Sequence, residues 1–268
     1  MRLGIEVEFD YAVPEPADML LQVEVAASSD QRIEAEALTV WSDLPIRAVP
    51  GEDGVGQRCW VRAVDRLRTS YRATVTVTRP VTELEALGAT PPRDLPGALT
   101  AYLLPSRYCP VDRLFGFVRR AFAGLDGGPL AAALAGWVGR EIEYRADASP
   151  PDTTALDTFG RRAGVCRDFA HLLVTMARAG GIPARCVSAY APGVDPPDFH
   201  AVAELWLDGG WHLVDATGMS RPDELARVAV GRDATDIAFM TVFGRAQLVT
   251  QSVRVTRLPQ ERRRGSLV

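Results

Sequence analysis

The sequence predicts an α+β fold in two parts: an antiparallel β domain over residues 1–82, and, beyond a linker at 83–98, a second domain at 99–268 with helices packed on an antiparallel sheet. Three observations predict this. The first 80 residues hold runs of period-two or β-branched character. Apolar residues at helical spacing begin only after residue 110. The hairpin signal Asp208-Gly209-Gly210 comes after the last long helical pattern, so helices precede strands rather than alternating with them. A chain of 268 residues, 47% hydrophobic and 24% charged, excludes a disordered tail or a fibre.

In order along the chain, Leu3–Tyr11, Met19–Ala26, Ile33–Trp41 and Thr69–Thr78 read as strands of a small sandwich. Turn signals at Pro14–Pro16, Ser28–Asp30 and Pro50–Gly56 separate them. Pro91, Pro92 and Pro96 mark the linker. Val111–Ala123 places Leu114, Phe115, Val118 and Phe122 on one helical face, and Pro129–Tyr144 starts with a proline suited to a first helical turn. A short helix is expected over Thr153–Arg162 with Asp152 as its cap. Cys166–Ala179 carries Phe169, Leu172, Leu173, Met176 and Ala177 at core spacing and stops at Gly180-Gly181, just before Pro183. Strands Ala184–Tyr190, Phe199–Leu207 and Trp211–Ala216 follow.

Charge and cysteine usage narrow the function classes. A formal net charge of −4 provides no basic field for nucleic acid or an anionic membrane, and the run Glu261–Arg264 reads as a solvated tail. All 30 basic residues are Arg, so Schiff-base and phosphate-loop lysines are excluded, and PLP and P-loop chemistry with them. The N-terminal run MRLGIEVEFDY alternates like a strand rather than a secretion signal, and no run reaches 18 apolar residues, so a cytoplasmic protein is expected. Cys59, Cys109, Cys166 and Cys186 lie far apart with no CxxC pair, which argues against a disulfide framework and a zinc site. No calcium-loop pattern occurs; neither metal nor cofactor is expected.

Cys166 sits at a helix start, where unpaired N–H groups and the positive dipole end stabilise a thiolate. Taken alone, an arbitrary cysteine is more often a small buried hydrophobe. His200 opens one strand and Asp215 ends the next, giving the order of nucleophile, base and orienting group in a thiol triad. Hairpin register is only partly reassuring. A turn centred on Gly209 sets His200 opposite Gly218, three residues past Asp215, or roughly 10 Å at ~3.3 Å per residue. A bulge or an earlier turn would have to close that gap.

The segments GVCRDFAHLLVTMARAGGIPARCVSAY and FHAVAELWLDGGWHLVDAT resemble the core of the bacterial transglutaminase-like superfamily. YLLPSRYCP upstream and GRDATDIAFMTVFG downstream extend the resemblance over nearly the whole chain. It implies a papain-like core, with Cys166 as nucleophile, His200 as general base and acid, and Asp215 orienting His200. It further implies acyl transfer on carboxamides through a thioester, or hydrolysis by the same triad, on a peptide, protein or small amide substrate. A catalytically inactive papain-like scaffold is a further alternative, and the absence of a CxxC pair or resolving cysteine near Cys166 speaks against a thiol-dependent redox or metal protein. Val202 and Ala216 stand where many relatives have Trp and Pro, and both are expected to alter the acyl pocket.

Supporting residues are also indicated. Asp168 can meet the helix dipole or pair with Arg167 or Arg185, a structural role. His171 lies about 500° on from Cys166, roughly 140° around the helix, and so does not face the thiol; its recurrence in the family pattern suggests a supporting polar contact. His212 alternates away from Asp215 and is read as non-catalytic, Trp211 as sheet packing, and Cys109 and Cys186 as core. The loop Ala191–Phe199 is expected to shape the pocket, together with the β domain if that overhangs the site.

Overall fold

At the N-terminus Leu3–Tyr11 and Met19–Ala26 merge into one long strand and Thr69–Thr78 is the end of another, while Ile33–Trp41 stands nearly as expected. In the computed structural model, which describes residues 1–42 and 44–259, strand β1 is Arg2–Leu21, β2 Gln31–Trp41, β3 Arg47–Pro50 and β4 Gln57–Val77. The segment Glu261–Arg264 lies outside the described residues. Pro14 and Pro16 fall within a register shift between Val13 and Ala17, where β1 bulges away from β4. A bulged residue is unpaired, so proline there loses no ladder bond and the strand continues instead of reversing.

The helical part begins with α1 (Phe115–Ala121), shorter than its sequence pattern, and α2 (Gly127–Glu141). Helix α3 (Ala155–Arg161) lies between two minimal strands, β5 (Glu143–Tyr144) and β6 (Ala163–Gly164), which pair in parallel. The cap of α3 is Thr154 rather than Asp152: its hydroxyl receives the Asp157 N–H while the Asp157 carboxylate accepts the Thr154 N–H, a reciprocal capping box. Helix α4 (Cys166–Ala179) has the predicted bounds, and every residue from Asp168 to Ala179 is buried. It packs on strands β7 (Ala184–Tyr190) and β8 (His200–Leu207) and against α2 and α3.

The core sheet runs β10-β7-β8-β9, all antiparallel, with β9 Gly210–Val214 and β10 Ala226–Gly231. The chain then passes through α5 (Ala234–Ile237) into β11 (Met240–Phe243) and β12 (Gln247–Leu258). Strand β11 pairs with Asp18–Leu21 and β12 with Arg2–Ala12, completing one six-stranded antiparallel sheet where a sandwich was expected. The division drawn from the sequence assigned these C-terminal residues to the second part; their pairing places them in the first sheet.

Buried polar contacts join the two sheets. The Tyr190 hydroxyl donates to the Val23 carbonyl at 2.7 Å, and Glu204, fully buried, accepts from Arg185 at 2.7 Å and Arg227 at 2.9 Å. Arg227 also reaches Asp30 of the N-terminal part, so each buried charge has a partner. Among the described residues no helix is long and apolar enough to cross a membrane.

Candidate active site

Cys166 is the first residue of α4 and is half-buried; its Sγ lies 4.0 Å from the Phe199 carbonyl oxygen. What holds the preceding backbone is Asp168. Its Oδ2 accepts the Val165 N–H at 2.9 Å, satisfying one donor ahead of the helix, and Oδ1 faces the Arg167 guanidinium at 3.4 Å. Asp168 is fully buried, and a Cβ on Gly164 would stand 2.7 Å from its side chain. Of the partners considered from sequence, Arg167 is therefore the one present; Arg185 is held by Glu204 and Asp53.

His200 and Asp215 meet across the β8–β9 hairpin, Nε2 to Oδ2 at 2.9 Å, with both side chains buried. The turn is tighter than assumed: Asp208 (φ 49°) and Gly209 (φ 76°) are its two central residues and Leu207 pairs with Gly210. Continuing this register sets His200 opposite Thr217, two residues from Asp215 and on the same face. That is the diagonal relation, within reach of side chains. The ladder in fact ends at Ala203–Val214, and the chain turns back at Asp215.

Asp215 is itself held in place. Oδ1 accepts the Thr217 N–H at 2.9 Å and its hydroxyl at 2.6 Å, and Oδ2 also accepts the Ser220 N–H at 3.0 Å. Burial pushes its pKa up, but the His200 and Thr217 hydrogen bonds outweigh burial and leave it below the usual carboxylate value. An ionised carboxylate only accepts, so His200 Nε2 carries the proton between them. Burial alone would lower the His200 pKa; the hydrogen bond to Asp215 and the Cys166 thiol overcome it and push it up to about 9. With Nε2 engaged, Nδ1, which is buried and has no hydrogen-bond partner among the described residues, is the nitrogen available to the thiol.

Tyr144 was not singled out from the sequence. Strand β5 pairs it with Gly164, and its phenol lies against both the Cys166 backbone N–H and the Cys166 thiol. Burial, then the charge of the Cys166 sulfur, pushes the phenol pKa up to about 12, so it stays a donor at neutral pH. Nothing local could have revealed this, because Tyr144 closes a helix-like pattern 22 residues before the cysteine. Thr217 was legible, since Asp-x-Thr is an Asx-turn pattern; Ser220 was not.

His171 is engaged by Tyr108 and Ala234. It is fully buried and stacked on Tyr108 with centroids 5.0 Å apart, and its Nε2 accepts the Ala234 N–H at 3.0 Å. Burial lowers its pKa to about 3, so the ring is neutral and its proton resides on Nδ1. His212 points to the Leu207 carbonyl, 3.2 Å away, outside the triad, and Trp211 packs on Trp206 and Tyr102. Cys109 and Cys186 are buried core residues; Cys59, undecided from sequence, is buried near Glu24, and its thiol pKa is pushed up to about 12.

A cavity of about 480 Å³ opens on Cys166 and His200. Its walls come from Tyr108, Phe199 and the segment from Ala234 to Thr241, with Gln22 from the end of the first sheet's β1. Of the loop expected to shape it, only Phe199 takes part; Pro196 and Pro197 do not, nor do Val202 and Ala216. Val202 instead packs with Val187 and Leu213 in a separate buried cluster.

Comparisons with known proteins bear on the family and the fold. A sequence profile described as the transglutaminase-like superfamily matches residues 125–216, a span containing Cys166, His200 and Asp215. The crystal structure of a candidate cysteine protease from Cytophaga hutchinsonii is 32% identical, with a TM-score of 0.90 over 97% of this chain and 92% of that one. An uncharacterised protein of Mycobacterium leprae (strain TN) is 30% identical over 145 residues, so the match spans 51% of this chain and about half (52%) of that curated relative. Similarity this extensive, over a chain folded the same way from end to end, places the protein: it belongs to the transglutaminase-like superfamily.

Proposed function

We propose that the protein is a thiol enzyme that cleaves amides through a Cys166 thioester and passes the acyl group to an amine. The carrying observation is the unbroken relay from Thr217 and Ser220 through Asp215 to His200 beside a half-buried thiol at a helix start. His200 Nδ1 takes the Sγ proton while Nε2–H stays on Asp215. The sulfur attacks the carbonyl carbon, and the oxyanion is received by the Cys166 N–H and the Tyr144 hydroxyl. The imidazolium then protonates the leaving nitrogen as the C–N bond breaks, which leaves the thioester. An amine, deprotonated by the same nitrogen, attacks the thioester and restores the thiol.

Hydrolysis is the second reading, with water in place of the amine. It is favoured by one observation, the cysteine-protease description carried by the 32%-identical Cytophaga protein. Iodoacetamide labelling read by peptide mass tests the shared core. Cys166 in the native protein is expected to label at pH 7 at least tenfold faster than in His200→Ala; equal rates overturn both readings. Product analysis with and without an added primary amine then separates them: amide product supports transfer, and free acid alone supports hydrolysis.

A further inference from the structure

The cavity beside the thiol is unlike a generic cleft in two respects. Much of its wall is aromatic and aliphatic: Phe199 and Phe239 stack with centroids 4.2 Å apart at 6°, and Ile237, Val228 and Ala189 line its buried part, while Arg107, Arg167, Thr235 and Thr241 also reach the lining. Among these apolar surfaces stand two polar side chains, each with one atom that has no hydrogen-bond partner among the described residues. Gln22 is only 3% exposed. Its Oε1 accepts from Arg58 at 3.1 Å and its backbone N–H donates to the Phe239 carbonyl at 2.8 Å, which fixes the amide orientation. Nε2 is then left with two N–H donors and no hydrogen-bond partner among the described residues. The Ser188 hydroxyl, also on the cavity lining, is likewise unpartnered. Buried donors in apolar surroundings lose hydration unless an acceptor meets them.

We infer that this cavity is the acyl-donor subsite, and that it takes an extended, mainly apolar acyl group ending in a hydrogen-bond acceptor oxygen received by Gln22 and Ser188. The inference rests on the thiol reading above and adds the substrate class to it. A short polar acyl chain would leave most of the 480 Å³ unfilled and would set carbon-poor groups against Phe199, Phe239 and Ile237. The terminal acceptor supplies orientation, because a site built to hydrogen-bond an oxygen discriminates against the analogue lacking it.

The test uses 4-nitrophenyl esters with a constant leaving group and a varied acyl part: acetyl, 3-phenylpropanoyl, and 3-(4-acetylphenyl)propanoyl. Cys166 acylation is read by peptide mass and nitrophenolate release. In the native protein kcat/KM is expected to rise at least tenfold from acetyl to phenylpropanoyl, and about threefold or more again with the para acetyl oxygen. Gln22→Met should lose the second increment and keep the first. Ala238→Phe, at a half-buried wall position, should lower the phenylpropanoyl-to-acetyl ratio and gives a second readout if Gln22→Met does not fold. Equal rates across the acyl series, or an intact para-oxygen increment in Gln22→Met, overturn the inference. Iodoacetamide labelling of Cys166 separates the two failures. His200-dependent labelling with no acyl preference sinks the subsite alone, whereas a thiol indifferent to His200 sinks the thiol reading and this inference with it.

Discussion

Asp215 reaches His200 from the first residue past the β8–β9 ladder, and it does so with a carboxylate already held by Thr217 and Ser220. The orienting group is thus fixed before the histidine engages it, so its pull on the imidazole proton acts without a reorganisation cost.

Asp215→Asn should lower kcat/KM by about 10²–10⁴-fold, the range for disabling a general base. It should also remove a pH-dependent part of stability. The His200 pKa is raised from 6.5 to about 9 in the folded protein, so its contribution is complete below 6.5 and is lost as pH rises through 9. The Asp215 pKa is lowered from 3.8, so its contribution holds above that value and is lost on further acidification. The stability difference between native protein and variant, from denaturant unfolding, should therefore be largest near pH 5–6 and shrink by pH 9.5. A difference that stays constant with pH would contradict this.

Tyr144→Phe removes one proposed oxyanion donor and keeps the ring that packs beside Phe169 at 6.0 Å. Turnover should fall about 10²-fold, as for loss of a single such donor. Iodoacetamide labelling of Cys166 should persist, because alkylation generates no oxyanion. Loss of both would reassign Tyr144 to local folding.

His171→Phe preserves the stack on Tyr108 and leaves the Ala234 N–H without its acceptor, a loss of about 1–3 kcal/mol. As Ala234 lines the cavity, KM should rise more than kcat falls. The native histidine, with its pKa lowered from 6.5 to about 3 by burial, stays neutral while the unfolded chain protonates. Stability should consequently drop as pH falls from 6.5 towards 3, at up to about 1.4 kcal/mol per pH unit, and this slope should be absent from the variant.

Gly164→Ala forces a methyl group to within 2.7 Å of the Asp168 carboxylate that holds the Val165 N–H. Destabilisation of about 1–3 kcal/mol is expected from overpacking, read as a lowered Tm. Asp168→Ala should cost about as much by uncapping α4, and the double variant should fall short of the sum, because both act on one contact. Strict additivity would show that the two residues act separately.

Several features were legible because they are local. The bounds of α4 and β7 follow from apolar spacing, the Gly180-Gly181 stop and Pro183, all within about 25 residues, and the motif around Cys166, His200 and Asp215 was readable as a resemblance. The capping of α3 shifted by two residues because both Asp152 and Thr154 are competent caps, and only Thr154 stands three residues before Asp157. The return of β11 and β12 to β1 was missed because it joins segments more than 200 residues apart, which no local pattern reports.

The sequence by itself determined the helix that presents Cys166 and the hairpin that carries His200. Each depends on a periodicity or turn chemistry confined to neighbouring residues. Only the tertiary structure decided the meeting of His200 and Asp215 beyond the end of their ladder, the approach of Tyr144 to Cys166, and a pocket lined by Phe239 and Gln22. These depend on which distant surfaces bury one another, and burial is a property of the packed whole rather than of any window along the chain.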